Sequence, residues 1–173
     1  MEDIGNQLLA QNVRIDKCIL PNGQILEPLI LEYRTWVTIL ALTKEKEAIL
    51  IRQYRHGVQK VIWELPGGAV EENETPLEGA HRELLEETGY ASETFIETGR
   101  VYPNPASHTN IHYSYLAIDA QKVSKQRLDN TEDIDVSLFP FDTAITMAKN
   151  GELSQSLHLT TFFFALANLK RII

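Results

Sequence analysis

The chain has 173 residues, 43% of them hydrophobic and 23% charged, with a formal net charge of −8. That length suits one domain with a sizeable core, and the composition is that of an ordinary globule rather than a disordered or fibrous chain. The acidic balance argues against nucleic acid as a partner, because phosphate-backbone binding needs basic surface.

From the first residue, MEDIGNQLLAQN opens acidic and builds no apolar stretch, so no secretory leader is expected. No apolar run reaches membrane-spanning length, and Phe162-Phe163-Phe164 is too short, so no membrane association is expected. Cys18 is the only cysteine. It permits no intrachain disulfide, points to a reducing cytoplasm and is expected as a small buried hydrophobe in a strand. Residues 13–33 predict a hairpin turning at Asn22-Gly23. Trp36 to Thr43 (WVTILALT) predicts a buried strand, rich in β-branched and aromatic residues. The charged run Lys44–Glu47 turns the chain into a second strand over Ala48–Tyr54. A loop through Gly57 leads to a third apolar run, Val61–Leu65, and then to Pro66-Gly67-Gly68.

A helix is predicted from Pro76 to Gly89. Thr75 and Glu78 form a capping-box pair, Pro76 sits at the first helical position and Gly89 is a left-handed stop. Leu77, Ala80 and Leu84 recur at helical spacing as a core-facing stripe. Glu83, Glu86 and Glu87 stand at i, i+3 and i+4, so three like charges crowd a face offset from that stripe. Such crowding gains nothing unless cations neutralise it, and carboxylate oxygens select hard ions such as Mg²⁺ or Mn²⁺. A solvated acidic face paired with lysines is the competing explanation. Only His81 and Arg82 are basic between Thr75 and Gly89.

Beyond the helix, strands are expected over Phe95–Val101 and Ile111–Ile118. An irregular segment, Tyr102–Ser107, lies between them. His108 and His112 have metal-ligand spacing for a helix but flank a strand start, where i and i+4 do not converge, so they read as plain polar positions. A polar loop, Val123–Asp133, carries Asp129, Glu132 and Asp133 and precedes a short strand, Asp135–Phe139. Asp142 is expected to cap a helix ending near Asn150-Gly151. A last helix over Ser154–Lys170 serves packing, with Leu157, Phe164 and Leu166 among its apolar residues. Strands surrounding one central helix, with helices gathering late, predict the α+β class.

Residues 68–90, GAVEENETPLEGAHRELLEETGY, resemble the Nudix box. Gly68, Glu74, Arg82, Glu83, Leu84, Glu86, Glu87 and Gly89 fall in register, and Tyr90 stands where an aliphatic residue is usual. The resemblance implies an α/β/α sandwich with a mixed central sheet. From about Tyr33 to Asn168 the chain further resembles the branch that hydrolyses ADP-ribose and nucleoside diphosphate sugars. The matching features are Ile51-Arg52-Gln53-Tyr54-Arg55, Trp63–Gly68, Pro105 fifteen residues past Tyr90, and the acidic segment before Val136. Two parts are implied: an N-terminal β-hairpin extension, 1–35, that builds a homodimer, and a hydrolase domain, 36–173.

The same resemblance implies Mg²⁺, with Mn²⁺ as substitute, held by Glu83, Glu86, Glu87, Glu132 and the backbone carbonyl of Gly67. Glu132 is the first candidate for general base and Glu83 the second; Asn130 stands where some members carry a glutamate. Arg82 is expected to lock the glutamates by charge-assisted bonds. Arg55 is the candidate phosphate clamp, and Arg34 is balanced between that role and a surface ion pair. Trp36 is open between stacking on a base and a place in the core or dimer interface. Pro105 and Ser107 lie where family members read the terminal sugar, although the loop here is NPASHTN. The substrate implied is ADP-ribose or a related nucleoside diphosphate sugar. GDP-mannose, a dinucleotide, or a sensing module without turnover are the alternatives.

Overall fold

In the computed structural model, which describes residues 13–170, the first elements are two short antiparallel pairs. Strand β1 (Val13–Ile15) pairs with β4 (Leu29–Leu31), and β2 (Cys18–Ile19) pairs with β3 (Ile25–Leu26). The turn is closed by the Leu20 amide donating to the Gln24 carbonyl at 2.8 Å. Gly23 supplies the left-handed φ of 83° that the turn requires. The leader expectation concerns residues 1–12, which lie outside the described range, as does the start of the 1–35 extension. Cys18 corrects its expectation: it is in a strand but exposed, because this narrow ribbon packs no second layer over it.

The main sheet is mixed. It contains β5 (Trp36–Thr43), β6 (Glu47–Arg55), β7 (Lys60–Glu64), β8 (Gly67–Ala69), β9 (Tyr90–Ala91), β10 (Thr94–Val101), β11 (His112–Lys122) and β12 (Ile134–Pro140). Its spine runs β10-β11-β5-β6-β12, with β7 on β6, β8 on β5 and β9 on β11. Only β11 against β5 is parallel; the other named pairs are antiparallel. The helices are α1 (Pro76–Thr88), α2 (Phe141–Lys149) and α3 (Ser156–Asn168).

The near-continuous apolar run of β5 follows from its position, covered on both faces. Leu40 and Leu42 pack with Leu50, Leu116 and the Phe141, Met147, Phe162 and Leu166 side chains of α2 and α3. The alternate residues Val37, Ile39 and Ala41 pack with Ile49, Tyr115 and the Ala80 and Leu84 side chains of α1. Side-chain alternation along one strand therefore builds the expected α/β/α sandwich. No helix among the described residues is long and apolar enough to cross a membrane.

Local signals set α1. Thr75 accepts from the Glu78 amide at 3.3 Å while the Glu78 carboxylate accepts from the Thr75 amide at 2.8 Å. Gly89 closes the helix at φ 70°. Leu77 departs from the predicted stripe at 42% exposure; it lies in the first turn, while Ala80 and Leu84 carry the sheet contact. Asp142 corrects the predicted cap. Strand β12 runs directly into α2, Pro140 takes the cap position and Asp142 lies in the first turn. Strand β11 extends four residues past its prediction, because its end pairs with the short β9.

Candidate active site

The box helix is tied to the sheet by one guanidinium. Arg82 Nε donates to Glu74 at 2.9 Å, Nη1 to Glu83 at 2.9 Å and Glu86 at 3.2 Å, and Nη2 to the Ala69 carbonyl at 2.9 Å and Glu74 at 3.1 Å. A planar fork can serve three carboxylates and a carbonyl at once; an ammonium cannot. These bonds, led by that to Glu74, raise the Arg82 pKa, and the same contact lowers that of Glu74. Gly68 has no side chain because a Cβ there would collide with the Glu83 carboxylate.

Glu87 is buried and accepts from the Gly67 amide at 2.8 Å. Burial pushes its carboxyl well above the usual range, and the nearby Glu83 and Glu132 charges push it further. Glu83 is raised mainly by burial, against the pull of Arg82, with Glu86 and Glu132 adding repulsion. Loop 123–133 and the end of β11 reach this end of α1 through bonds to the last helical carbonyls. Arg127 N–H donates to Glu86 O at 2.9 Å, Gln126 Nε2 to Glu87 O at 2.7 Å and Lys122 Nζ to Thr88 O at 2.6 Å. These orphan carbonyls needed partners, and meeting them holds Glu132 near the helix glutamates.

The donor set suits a hard divalent cation: anionic oxygens, mutually repelling, partly desolvated, and relieved by positive charge. As they stand, no three acidic, histidine or cysteine side chains among the described residues converge tightly enough to hold an ion. Glu86 Oε2 is drawn to Arg82 and Glu87 Oε2 to the Gly67 amide, one carboxylate oxygen in each case.

Glu83, Glu87 and Glu132 line one side of a cavity of about 780 Å³, within the size range of small-molecule sites. Arg55 lines it from the β6–β7 hairpin. Its guanidinium grips the fully buried Glu64 at 2.8–3.1 Å, and Gln53 Nε2 adds a bond to Glu64 at 3.0 Å. Burial raises the Glu64 carboxyl while Arg55 and Gln53 oppose the rise. The ion-pair partner of Arg55, the candidate phosphate clamp, is a core carboxylate, and Arg55 lines the cavity.

His158, on α3, accepts the Leu65 amide at Nδ1 over 3.0 Å. His112, opening β11, joins Nε2 to Thr38 Oγ1 at 2.8 Å. Both residues are among those that line the cavity, as are Trp36, Thr38 and Gly67. Burial lowers the His112 pKa to about 4 and that of His158 to about 3. His112 is thus no mere polar position at a strand start, whereas His108 lies in the preceding loop with its ring against Tyr33. Arg82 and Glu86 are not among the residues that line the cavity. Arg34, Pro105 and Ser107 do not line it: Ser107 accepts from the Leu31 amide through its carbonyl at 2.7 Å, docking its loop on β4.

Sequence reasoning missed Glu64, Gln126 and both buried histidines. Glu64 carried a signal, an acid inside the apolar run Val61–Leu65. The others depend on partners remote in the chain.

Residues 32–159 match the family model described as NUDIX domain. The chain belongs to the Nudix family. An ADP-ribose pyrophosphatase of Bacillus subtilis (strain 168) is 30% identical over 135 residues, covering 78% of this chain and 73% of that protein. A GDP-mannose pyrophosphatase of Enterobacter sp. (strain 638) is 29% identical over 160 residues, covering 86% and 82%. A solved structure described as an ADP compounds hydrolase superposes with a TM-score of 0.79 at 20% identity, over 92% of this chain and 88% of that one. That likeness identifies the architecture above as the Nudix fold.

Proposed function

We propose that this Nudix protein is a metal-dependent pyrophosphatase that hydrolyses the diphosphate bond of ADP-ribose or a related nucleoside diphosphate sugar, giving a nucleoside monophosphate and a sugar phosphate. The reading is carried by the convergence of Glu83, Glu87 and Glu132 on one cavity that also receives Arg55. The names of the relatives support the substrate class.

In this reading Glu83, Glu86, Glu87 and Glu132, with the Gly67 carbonyl, would hold Mg²⁺ or, as a substitute, Mn²⁺. That ion would supply charge neutralisation at the diphosphate and a lowered pKa for the attacking water. Glu132, exposed on its loop, accepts the proton from that water as oxygen attacks phosphorus; Glu83 is the alternative base. The P–O bond to the bridging oxygen breaks and its electron pair leaves with the departing phosphate. Arg55, oriented by Glu64, clamps a phosphate oxygen, and Trp36 offers a face to the base. Arg82 is a positioning residue, holding Glu83 and Glu86 in place.

The homodimer belongs to the same proposal, with residues 1–35 as the dimerisation extension and 36–173 as the hydrolase domain. Its support is the apolar surface of the hairpin: Ile15 is 67% exposed and Ile19 78%, with Ile25 and Leu29 also exposed. Light scattering should give a dimer for the wild type and a monomer for the Ile15→Lys/Ile19→Lys double variant. A cytoplasmic location is supported by the single, exposed Cys18.

The deciding experiment measures phosphate release, coupled to alkaline phosphatase, over ADP-ribose, GDP-mannose, dinucleotides and nucleoside triphosphates with Mg²⁺ or Mn²⁺. Preferred turnover of ADP-ribose supports the proposal, and preference for GDP-mannose moves the substrate while keeping the mechanism. Tight binding without any turnover would replace it with a sensing module.

A further inference from the structure

One face of the β6–β7 hairpin forms a wall of the cavity. Gln53, Arg55, Lys60, Ile62 and Glu64 line it, whereas the intervening Tyr54, Val61 and Trp63 do not. That pattern is the alternation of side chains along paired strands, so these residues meet the cavity through side chains rather than backbone. Arg55 stands directly opposite Lys60, and Gln53 opposite Ile62. The turn between the strands holds this register: the Val58 amide donates to the Arg55 carbonyl at 3.3 Å, and Gln59 takes a left-handed φ of 54°. Like charges directly opposite each other destabilise a strand pair. Glu64 neutralises Arg55. Lys60 is exposed and makes no ion pair among the described residues.

We propose that Lys60 is a further substrate-binding residue, which joins Arg55 across the strand pair to bind the diphosphate of the substrate. The proposal rests on the pyrophosphatase reading above. With Arg55 balanced by Glu64, Lys60 leaves this wall with a net positive charge. Glu83, Glu87 and Glu132 reach the cavity from α1 and loop 123–133, and none of them pairs with Lys60. The cavity therefore has an anionic side and a cationic side. An uncharged sugar would leave the Lys60 charge without a partner. A phosphate oxygen accepts from its ammonium and also relieves the repulsion between the two facing cations. The two groups do different work. The Arg55 guanidinium, held by Glu64, fixes an orientation; the Lys60 ammonium, a point charge on a flexible stem, adds attraction with little geometric demand.

Lys60→Met keeps the stem and removes the charge, and Lys60→Arg restores a cation. ADP-ribose and adenosine are titrated into wild type and both variants in EDTA, where nothing is hydrolysed. Lys60→Met should raise the Kd of ADP-ribose about tenfold, the low end for a hydrogen bond to a charged group and fitting for an exposed side chain. Lys60→Arg should recover most of that loss, and adenosine, which has no phosphate, should bind all three proteins alike. An unchanged Kd for ADP-ribose, or equal losses for both ligands, overturns the subsite. The second readout is the ¹³Cε signal of Lys60, assigned by its absence from the Lys60→Met spectrum. A shift with ADP-ribose but not with adenosine supports the proposal. No shift with ADP-ribose, or an equal shift with inorganic phosphate at the same concentration, overturns it. With Mg²⁺, Lys60→Met should raise KM by more than it lowers kcat. If the wild type hydrolyses nothing, the pyrophosphatase reading fails while the metal-free titrations still decide the subsite.

Discussion

Glu87→Gln should stabilise the metal-free protein while abolishing its turnover. The Glu87 carboxylate is only 4% exposed and has one amide donor, Gly67 N–H at 2.8 Å. Burying an ionised carboxylate costs several kcal/mol, and one charge-assisted bond returns about 1.5–3 kcal/mol. Glutamine keeps the shape and its amide oxygen can still accept from Gly67, so the variant should gain roughly 2 kcal/mol in EDTA at pH 8. The pH dependence has a definite sign. The folded pKa of Glu87 lies above the unfolded value, so the wild type loses stability as pH rises from the unfolded pKa through the folded one. The advantage of glutamine therefore grows over that window, levels off above it and disappears in acid. Saturating Mg²⁺ should reverse the order by stabilising the wild type, by about 2.7 kcal/mol at one hundred times Kd. Urea denaturation in EDTA and in Mg²⁺, from pH 4 to 8, tests each step. A variant less stable than wild type in EDTA at pH 8 would refute the account of Glu87 as a buried charge awaiting a cation.

Two further outcomes follow from the same helix. Arg82→Lys retains the charge but loses the fork, so it should destabilise by about 2 kcal/mol in urea melts and lower kcat more than KM. Because Arg82 depresses the Glu74 pKa, its contribution is present above the unfolded carboxylate pKa and is lost as pH falls through the folded one. Gly68→Ala places a methyl against the Glu83 carboxylate; metal affinity measured by calorimetry should fall at least tenfold, a typical result of displacing a ligand or its immediate support, with a smaller change in melting temperature.

What could be read from the sequence was local. The Thr75–Glu78 box, the Gly89 stop and the i, i+3, i+4 glutamates are set within one helix, where spacing is geometry. The β5 strand was legible because its two buried faces demand an unbroken apolar run. Leu77 has the correct period but sits in the first turn, where the sheet no longer reaches. Cys18 looked buried because its strand was legible while the single-layer nature of the hairpin was not. His158 is bonded to a residue 93 positions away, and Gln126 is useful only because α1 ends with unmet carbonyls beside it. Neither relation leaves a pattern in nearby residues. Arg34, Pro105 and Ser107 are candidates by resemblance alone, and none of them lines this cavity.

The His158–Leu65 bond also sets an order of events at the ribosome. Leu65, which leads into the box glycine, has its amide acceptor on α3, and β5 finds its parallel partner only in β11. At roughly 5–20 residues per second, synthesis of the intervening 93 residues takes about 5–20 s. During that interval the glutamate helix can form from its own caps and β5 can pair with β6 and β8, but β5 still lacks its parallel neighbour β11. A nascent chain should thus carry a complete set of box carboxylates well before it can hold a substrate, so metal in the cell meets the motif before the enzyme exists.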